Sequence, residues 1–282
     1  MQEVQVGRFR IRALCESTFA LDGGAMFGVV PRALWQKLTP VNDDHTIPLV
    51  CNAFLVEDGE NVVLIEPGIG ERWSDKYKTM YHIEHPDGGL AAVLKDAGRT
   101  PEEVTHVVMS HAHFDHIGAV CGVDGMPLFN NARHFLPEIE KNAVLNPDHF
   151  RRASYRCEDL KPVVDAGLLE TFSGSCEVLP GLNIHELGGH SDGVSVVVIE
   201  DAGTTACFWS DVVPTRNHVA LPFIMAYDMD AEESFRVRSE WIERATSGDW
   251  IGMMYHDPEH AFLKFSFDGS RYAWSPLTAA SD

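Results

Sequence analysis

His111-Ala112-His113-Phe114-Asp115-His116 places three imidazoles and a carboxylate within six residues, directly after the apolar run Val107-Val108-Met109. That run reads as a buried strand, so the cluster stands at a strand's C-terminal end, where the chain opens into a loop. Imidazole nitrogen and carboxylate oxygen are ligands that borderline cations such as zinc favour. In an extended loop His111 and His113 project to the same side and can pinch one cation. Asp115 and His116 lie beyond the turn and aim at a neighbouring position. One short segment could therefore supply ligands to two adjacent metals, the two-metal geometry used for hydrolysis.

The surrounding chain sets limits on what such a site serves. Its 282 residues suit one large α/β domain or two small ones, and 45% hydrophobic content can bury an ample core. No stretch approaches the roughly 18 apolar residues a membrane helix requires. The N-terminal MQEVQV lacks the basic and apolar regions of a signal peptide. A soluble, cytoplasmic protein is expected, without a membrane partner. The net charge of −20 repels phosphate backbones, and no Lys/Arg-rich run offsets it locally. A small neutral or weakly charged molecule fits better than nucleic acid. The 6 cysteines include no CxxC pair and read as separate reduced thiols.

Along the chain, residues 4–14 alternate as a first strand. Residues 18–48, with LDGGAMFG at 21–28, read as a long ordered loop. Strands are expected at 50–57 and 61–66, then a helix at 87–97 closed by Gly98. Thr100-Pro101-Glu102-Glu103 carries a helix-start signature, and 104–109 is the strand that delivers the histidines. Residues 137–166 are polar with helical stretches. Strands follow at 168–173, 183–187, 194–200 and 204–209. Residues 230–247 form the clearest amphipathic helix, with Phe235, Val237, Trp241, Ile242 and Ala245 roughly on one side. A last strand spans 251–255. With no linker or repeat, one domain over 1–282 is the expected organisation.

Four more residues sit at strand ends. His190 lies in the turn GGHSDG (188–193), whose glycines let the backbone approach a metal closely. Asp211 follows the strand ending at Trp209 and could bridge two cations. His256 follows Met253-Met254-Tyr255, with His260, past Pro258, as its competitor. Glu66 ends its strand where a carboxylate could orient a ligand histidine.

HxHxDH, a Gly-His turn, a strand-terminal Asp and a late strand-terminal His, in that order from about residue 50 to 258, resemble the metallo-β-lactamase superfamily. The resemblance implies an α/β fold, a four-layer αβ/βα sandwich with a dinuclear site at one edge of its two sheets. It implies His111, His113 and His190 around one metal and Asp115, His116 and His256 around the other, with Asp211 between them. Zinc is the first expectation for the two divalent ions; manganese, iron and cobalt use the same ligands. His113 stands where the diiron redox branch typically has Glu. The segments 21–31, 214–218 and 222–228 are similar to the branch of quorum-quenching N-acyl-homoserine lactonases. Two positions depart from that branch. Glu66 replaces the usual Asp, and Pro214 replaces a tyrosine that touches the substrate carbonyl, leaving Tyr227 as the candidate donor.

The expected reaction is hydrolysis of a lactone or small ester by a hydroxide bridging the two metals. Asp115 is placed to accept a proton and return it to the leaving alkoxide. Met26, Phe27, Phe223 and Ile224 are the candidate apolar wall for an acyl chain. The alternatives are an arylesterase or organophosphate hydrolase on the same scaffold and, further off, a mononuclear-iron dioxygenase. A β-lactamase and a non-catalytic ligand sensor are less favoured still. For assembly, base rates favour a homodimer.

Overall fold

The structure, a computed structural model, describes residues 1–277. Its first sheet holds seven strands in chain order: β1 (Gln2–Val6), β2 (Phe9–Asp22), β3 (Thr46–Glu57), β4 (Val62–Ile65), β5 (His106–Val108), β6 (Arg133–Pro137) and β7 (Leu169–Phe172). The second sheet holds β8 (Ser175–Leu179), β9 (Leu182–Glu186), β10 (Ser195–Asp201), β11 (Thr204–Phe208), β12 (Ile251–Met253), β13 (Phe262–Phe267) and β14 (Tyr272–Pro276), also in chain order across the sheet. Hairpins pair antiparallel from β1 to β4, whereas β4 to β7 run parallel because helices cross between them. In the second sheet only β11 and β12 are parallel, joined through the long helix Ala231–Ser247.

Side-chain alternation sorts the layers. Val197 and Ile199 of β10 face the first sheet, in a core shared with Phe54, Ile65, Phe208 and Phe262. Val196 and Val198, on the opposite face, pack with Val237, Trp241 and Ile242 of the long helix. The outer face of the first sheet buries Leu55, Leu64 and Val107 against Leu94, Val144 and Leu160 of three helices. Helix, sheet, sheet, helix is the expected αβ/βα sandwich. Among the described residues, no helix is long and apolar enough to cross a membrane.

Several boundaries differ from the sequence expectation. The 4–14 strand is two strands, because Gly7 takes φ +52° and turns the chain between the paired Val6 and Phe9. Residues 18–48 are not mainly loop. β2 continues to Asp22, whose carboxylate accepts the Ala25 N–H at 2.8 Å and caps the helix Gly23–Phe27. That half of β2 is buried on both faces, which removes the alternation that marks a half-exposed strand. The capping box at Thr100 forms, but closes one 3-10 turn, Pro101–Glu103, before the chain extends into β5. Phe235 is 45% exposed rather than on the buried stripe. The strand near 251–255 ends at Met253 and is not the last: β13 and β14 follow, and β6 and β8 had no sequence expectation.

Candidate metal centre

β5 ends at Val108, and Met109 and Ser110 carry the chain to His111. His113 then precedes the short helix Phe114–Ile117, which carries Asp115 and His116 and brings the His116 ring to 4.0 Å from that of His111. This local geometry produces two ligand groups from one segment. His190 arrives from the second sheet on the β9–β10 loop, where Gly188 and Gly189 take φ +81° and +100°. A Cβ at Gly189 would lie 2.8 Å from the Ser234 backbone, so the loop seats on the long helix only without a side chain there. Asp211 stands in the turn Ser210–Val212 after β11, and His256 three residues beyond β12.

These side chains converge. His113 Nδ1 lies 3.0 Å from His111 Nε2 and 3.1 Å from His190 Nε2. Asp211 Oδ2 is 3.1 Å from His190 Nε2. Its other oxygen, Oδ1, is 3.2 Å from His256 Nε2 and 3.5 Å from His116 Nε2. Asp115 Oδ2 stands 3.6 Å from His256 Nε2 and 4.0 Å from His116 Nε2. Two sets able to hold a cation result: His111, His113, His190 and Asp211, and Asp115, His116 and His256. Asp211 turns one oxygen to each. His260, the competitor of His256, belongs to neither set; its ring packs beside Trp274 at 5.3 Å.

The donor set suits divalent metal. His116 Nε2 and Asp211 Oδ1, which face the centre of the site, are buried without a hydrogen-bond partner, and such orphans cost about 1–3 kcal/mol each. Burial, reinforced by the neighbouring imidazoles, holds the pKa of His111 and His113 well below the ordinary histidine value, which keeps their lone pairs free. Burial also opposes charge on His116 and His190. There the carboxylates prevail and raise the pKa: Asp211, Glu66 and Asp115 for His116, Asp211 and Asp228 for His190. Burial likewise opposes ionisation of Asp211, but His256, His116 and His190 outweigh it and hold its carboxyl well below the usual range.

Outer contacts orient each ring. Glu66 stands 3.3 Å from His116 Nδ1 through Oε2, while Oε1 accepts the Ser110 N–H at 2.7 Å. The longer arm of Glu66 reaches both from a left-handed backbone, φ +58°. His190 Nδ1 is 2.9 Å from Asp228 Oδ1, His256 Nδ1 is 2.9 Å from the Val50 carbonyl, and His111 Nδ1 is 2.9 Å from Ser110 Oγ. Ser110, Asp228 and Tyr255, which donates to the Asp115 carbonyl at 2.5 Å, were not among the sequence candidates. Asp228 lay inside the quoted 222–228 segment, but nothing in a turn's sequence says which ring it will face.

Above the two sets opens a cavity of about 410 Å³. Asp115, Asp211 and Asp228 lie at its polar end, and Leu21, Met26, Tyr81, Phe114, Met225 and Tyr227 form apolar wall. Of the residues expected there, Met26 and Tyr227 line the cavity, whereas Phe27, Phe223 and Ile224 do not. Phe27 is fully buried, stacked between Trp35 at 5.3 Å and His218 at 5.2 Å, with Phe223 edge-on at 5.8 Å. Met225, Ala226 and Tyr227 line the cavity instead, and the Ala226 N–H donates to the Ala25 carbonyl, tying that segment to the helix Gly23–Phe27. Pro214 contributes only its carbonyl, which accepts the His256 N–H. Burial, with the charges of Asp22 and Asp115, pushes the Tyr227 pKa up, so its hydroxyl stays a proton-bearing donor.

Comparison with known proteins gives this geometry relatives. An N-acyl homoserine lactonase of Bacillus cereus is 28% identical over 174 residues, 58% of this chain and 62% of that protein. The lactonase of Bacillus thuringiensis is 26% identical over 235 residues, 70% of this chain and 87% of its own length. Among solved structures, a probable metal-dependent hydrolase from Staphylococcus aureus superposes with a TM-score of 0.91 at 28% identity, covering 99% of this chain and 100% of that one. The dizinc quorum-quenching lactonase AidC shares the fold at a TM-score of 0.83 and 17% identity, over 99% and 98% of the two chains. The sequence model of the metallo-beta-lactamase superfamily matches residues 46–250, which hold both sheets' central strands and every candidate ligand except His256, and the chain belongs to that superfamily.

Proposed function

We propose that this protein is a dinuclear metal-dependent hydrolase that opens a lactone or small ester. The observation that carries the proposal is Asp211, whose two carboxylate oxygens face two separate imidazole sets from a single side chain. His111, His113 and His190 would hold one divalent cation and Asp115, His116 and His256 the other, with Asp211 shared; zinc suits the all-nitrogen-and-oxygen set. Cations held there would lower the pKa of water and act as Lewis acids toward a carbonyl oxygen.

The chain's own residues supply the rest. Asp115 lines the cavity and would take a proton and return it to a leaving alkoxide. Tyr227, one of the hydroxyl-bearing residues lining the cavity, would donate to a carbonyl oxygen in place of the residue that is Pro214 here. Met26, Met225 and Tyr81 offer an apolar surface for an acyl group and keep bulk water from the polar end. The lactonase relatives are similar to this chain and favour lactones within the ester class.

The test reconstitutes metal-stripped protein with zinc. It then assays homoserine lactones of several chain lengths, an aryl ester and a phosphotriester. Lactone turnover that requires about two zinc per chain and is abolished in Asp211→Ala is expected. Tyr227→Phe should lower kcat by about 10²-fold with zinc content unchanged. Turnover of the aryl ester or phosphotriester alone would assign the arylesterase or organophosphate reading instead. One iron per chain in the protein as purified, with no hydrolysis after zinc reconstitution, would assign the dioxygenase.

A further inference from the structure

We propose that Glu140 is a positioning residue that locks the two halves of the His111, His113, His190 and Asp211 set together and so sets that set's metal affinity. This rests on the metal-centre reading above and goes beyond it to a residue that touches no candidate ligand atom. The set is assembled from two sheets. His111 and His113 hang from β5, and His190 from the β9–β10 loop. Nothing in either segment alone fixes the distance between them.

Glu140 spans that gap. It lies in the first turn of the helix Glu138–Leu145, which starts at the end of β6, next to β5 in the first sheet. Its side chain is fully buried. Oε2 accepts the N–H of Ala112, the residue between His111 and His113, at 3.0 Å. Oε1 accepts the N–H of Gly193, three residues past His190, at 2.9 Å. The Tyr155 hydroxyl donates to Oε2 at 3.1 Å, and the Tyr155 ring stands edge-on to His113 with centroids 4.8 Å apart. One carboxylate thus holds the backbone of both ligand loops and, through Tyr155, the plane of His113.

A second observation supports the same clamp. A Cβ at Gly193 would lie 2.5 Å from Ile139 Cγ2, 2.9 Å from Glu140 Cγ and 3.2 Å from Pro137 Cβ. The His190 loop is pressed onto the Pro137–Glu140 segment so closely that only glycine fits. The approach that brings the Gly193 N–H to Glu140 is therefore built into both sides of the contact.

The test measures the two stepwise zinc affinities of the full chain by chelator competition, with ring ¹⁵N spectra identifying the histidines engaged. In the wild type two affinities are expected. In Glu140→Ala one should weaken about 10- to 100-fold while the other stays within threefold. The ring signals of His113 and His190 should move and those of His116 and His256 should not. Gly193→Ala, which keeps the carboxylate but forces the loops apart, should reproduce the selective loss. Should Glu140→Ala fail to fold, Glu140→Gln decides, since its amide can accept at one atom only; a selective loss supports the clamp. Unchanged affinities, or equal loss at both sites in a folded variant, overturn it. A wild type that binds no zinc overturns the metal-centre reading itself, a failure visible before any variant is made.

Discussion

Removing the Asp228 carboxylate should weaken metal binding at the His190 set while leaving the fold intact. Asp228 Oδ1 lies 2.9 Å from His190 Nδ1, and its side chain is shielded from bulk solvent. A hydrogen bond involving a charged group contributes roughly 1.5–3 kcal/mol. At about 1.4 kcal/mol per tenfold, that becomes an affinity loss of about 10- to 100-fold in Asp228→Ala, with His190 also free to rotate out of line. Asp228→Asn keeps a neutral acceptor at the same place. Neutral bonds are about half as strong as charged ones, so its loss should be about 3- to 10-fold. Chelator competition with zinc on the stripped protein measures both, and far-ultraviolet circular dichroism checks the fold. Folded Asp228→Ala with both affinities within threefold of wild type would refute the orienting role. An Asn variant weaker than the Ala variant would refute the electrostatic reasoning behind it.

Phe54 is fully buried between the sheets, edge-on to Phe208 and Phe262 with centroids 5.6 Å from each. Phe54→Ala should cost about 3–5 kcal/mol in urea unfolding, and a loss under about 1 kcal/mol would mean the sheets do not meet there. His134 is buried, donates through Nδ1 to the Ala132 carbonyl, and has its pKa lowered by burial from 6.5 to about 4. Because the folded state resists protonation, its contribution is fully present above pH 6.5 and is lost as pH falls toward 4. The stability gap between pH 7 and pH 4.5 should narrow by about 2–3 kcal/mol in His134→Phe, and an unchanged gap would show that His134 titrates normally.

Much of the site was legible because its ligands sit at strand ends, where short apolar runs stop and a polar residue follows. Val107-Val108-Met109 announces His111, and the run before Ser210 announces Asp211. The amphipathic period of the long helix was equally direct, since one face meets β10 and the other meets water. Legibility failed where a strand is buried on both sides, as in the second half of β2, because burial there erases the alternation. β13 and β14 were readable in principle. The turn Asp268-Gly269, with Gly269 at φ +95°, lies between two aromatic-rich runs, a strong hairpin signal. The apolar wall of the cavity differs from the expected one by one to a few residues, since which side chains of a loop line a cavity depends on how that loop docks, here with the Ala226 N–H on the Ala25 carbonyl.

The sequence by itself determined the ligand types, their order and the superfamily they belong to, because those depend on side-chain chemistry at strand ends and on spacing within one short loop. Asp211 between the two sets and Glu66 beside a histidine ring were expectations of the sequence; only the tertiary structure decided that Asp228 stands at the His190 ring and that Glu140 joins loops from different sheets. Those contacts join residues tens of positions apart. Their distances are set by how two sheets pack and where each loop lands, and no local pattern in the chain encodes that.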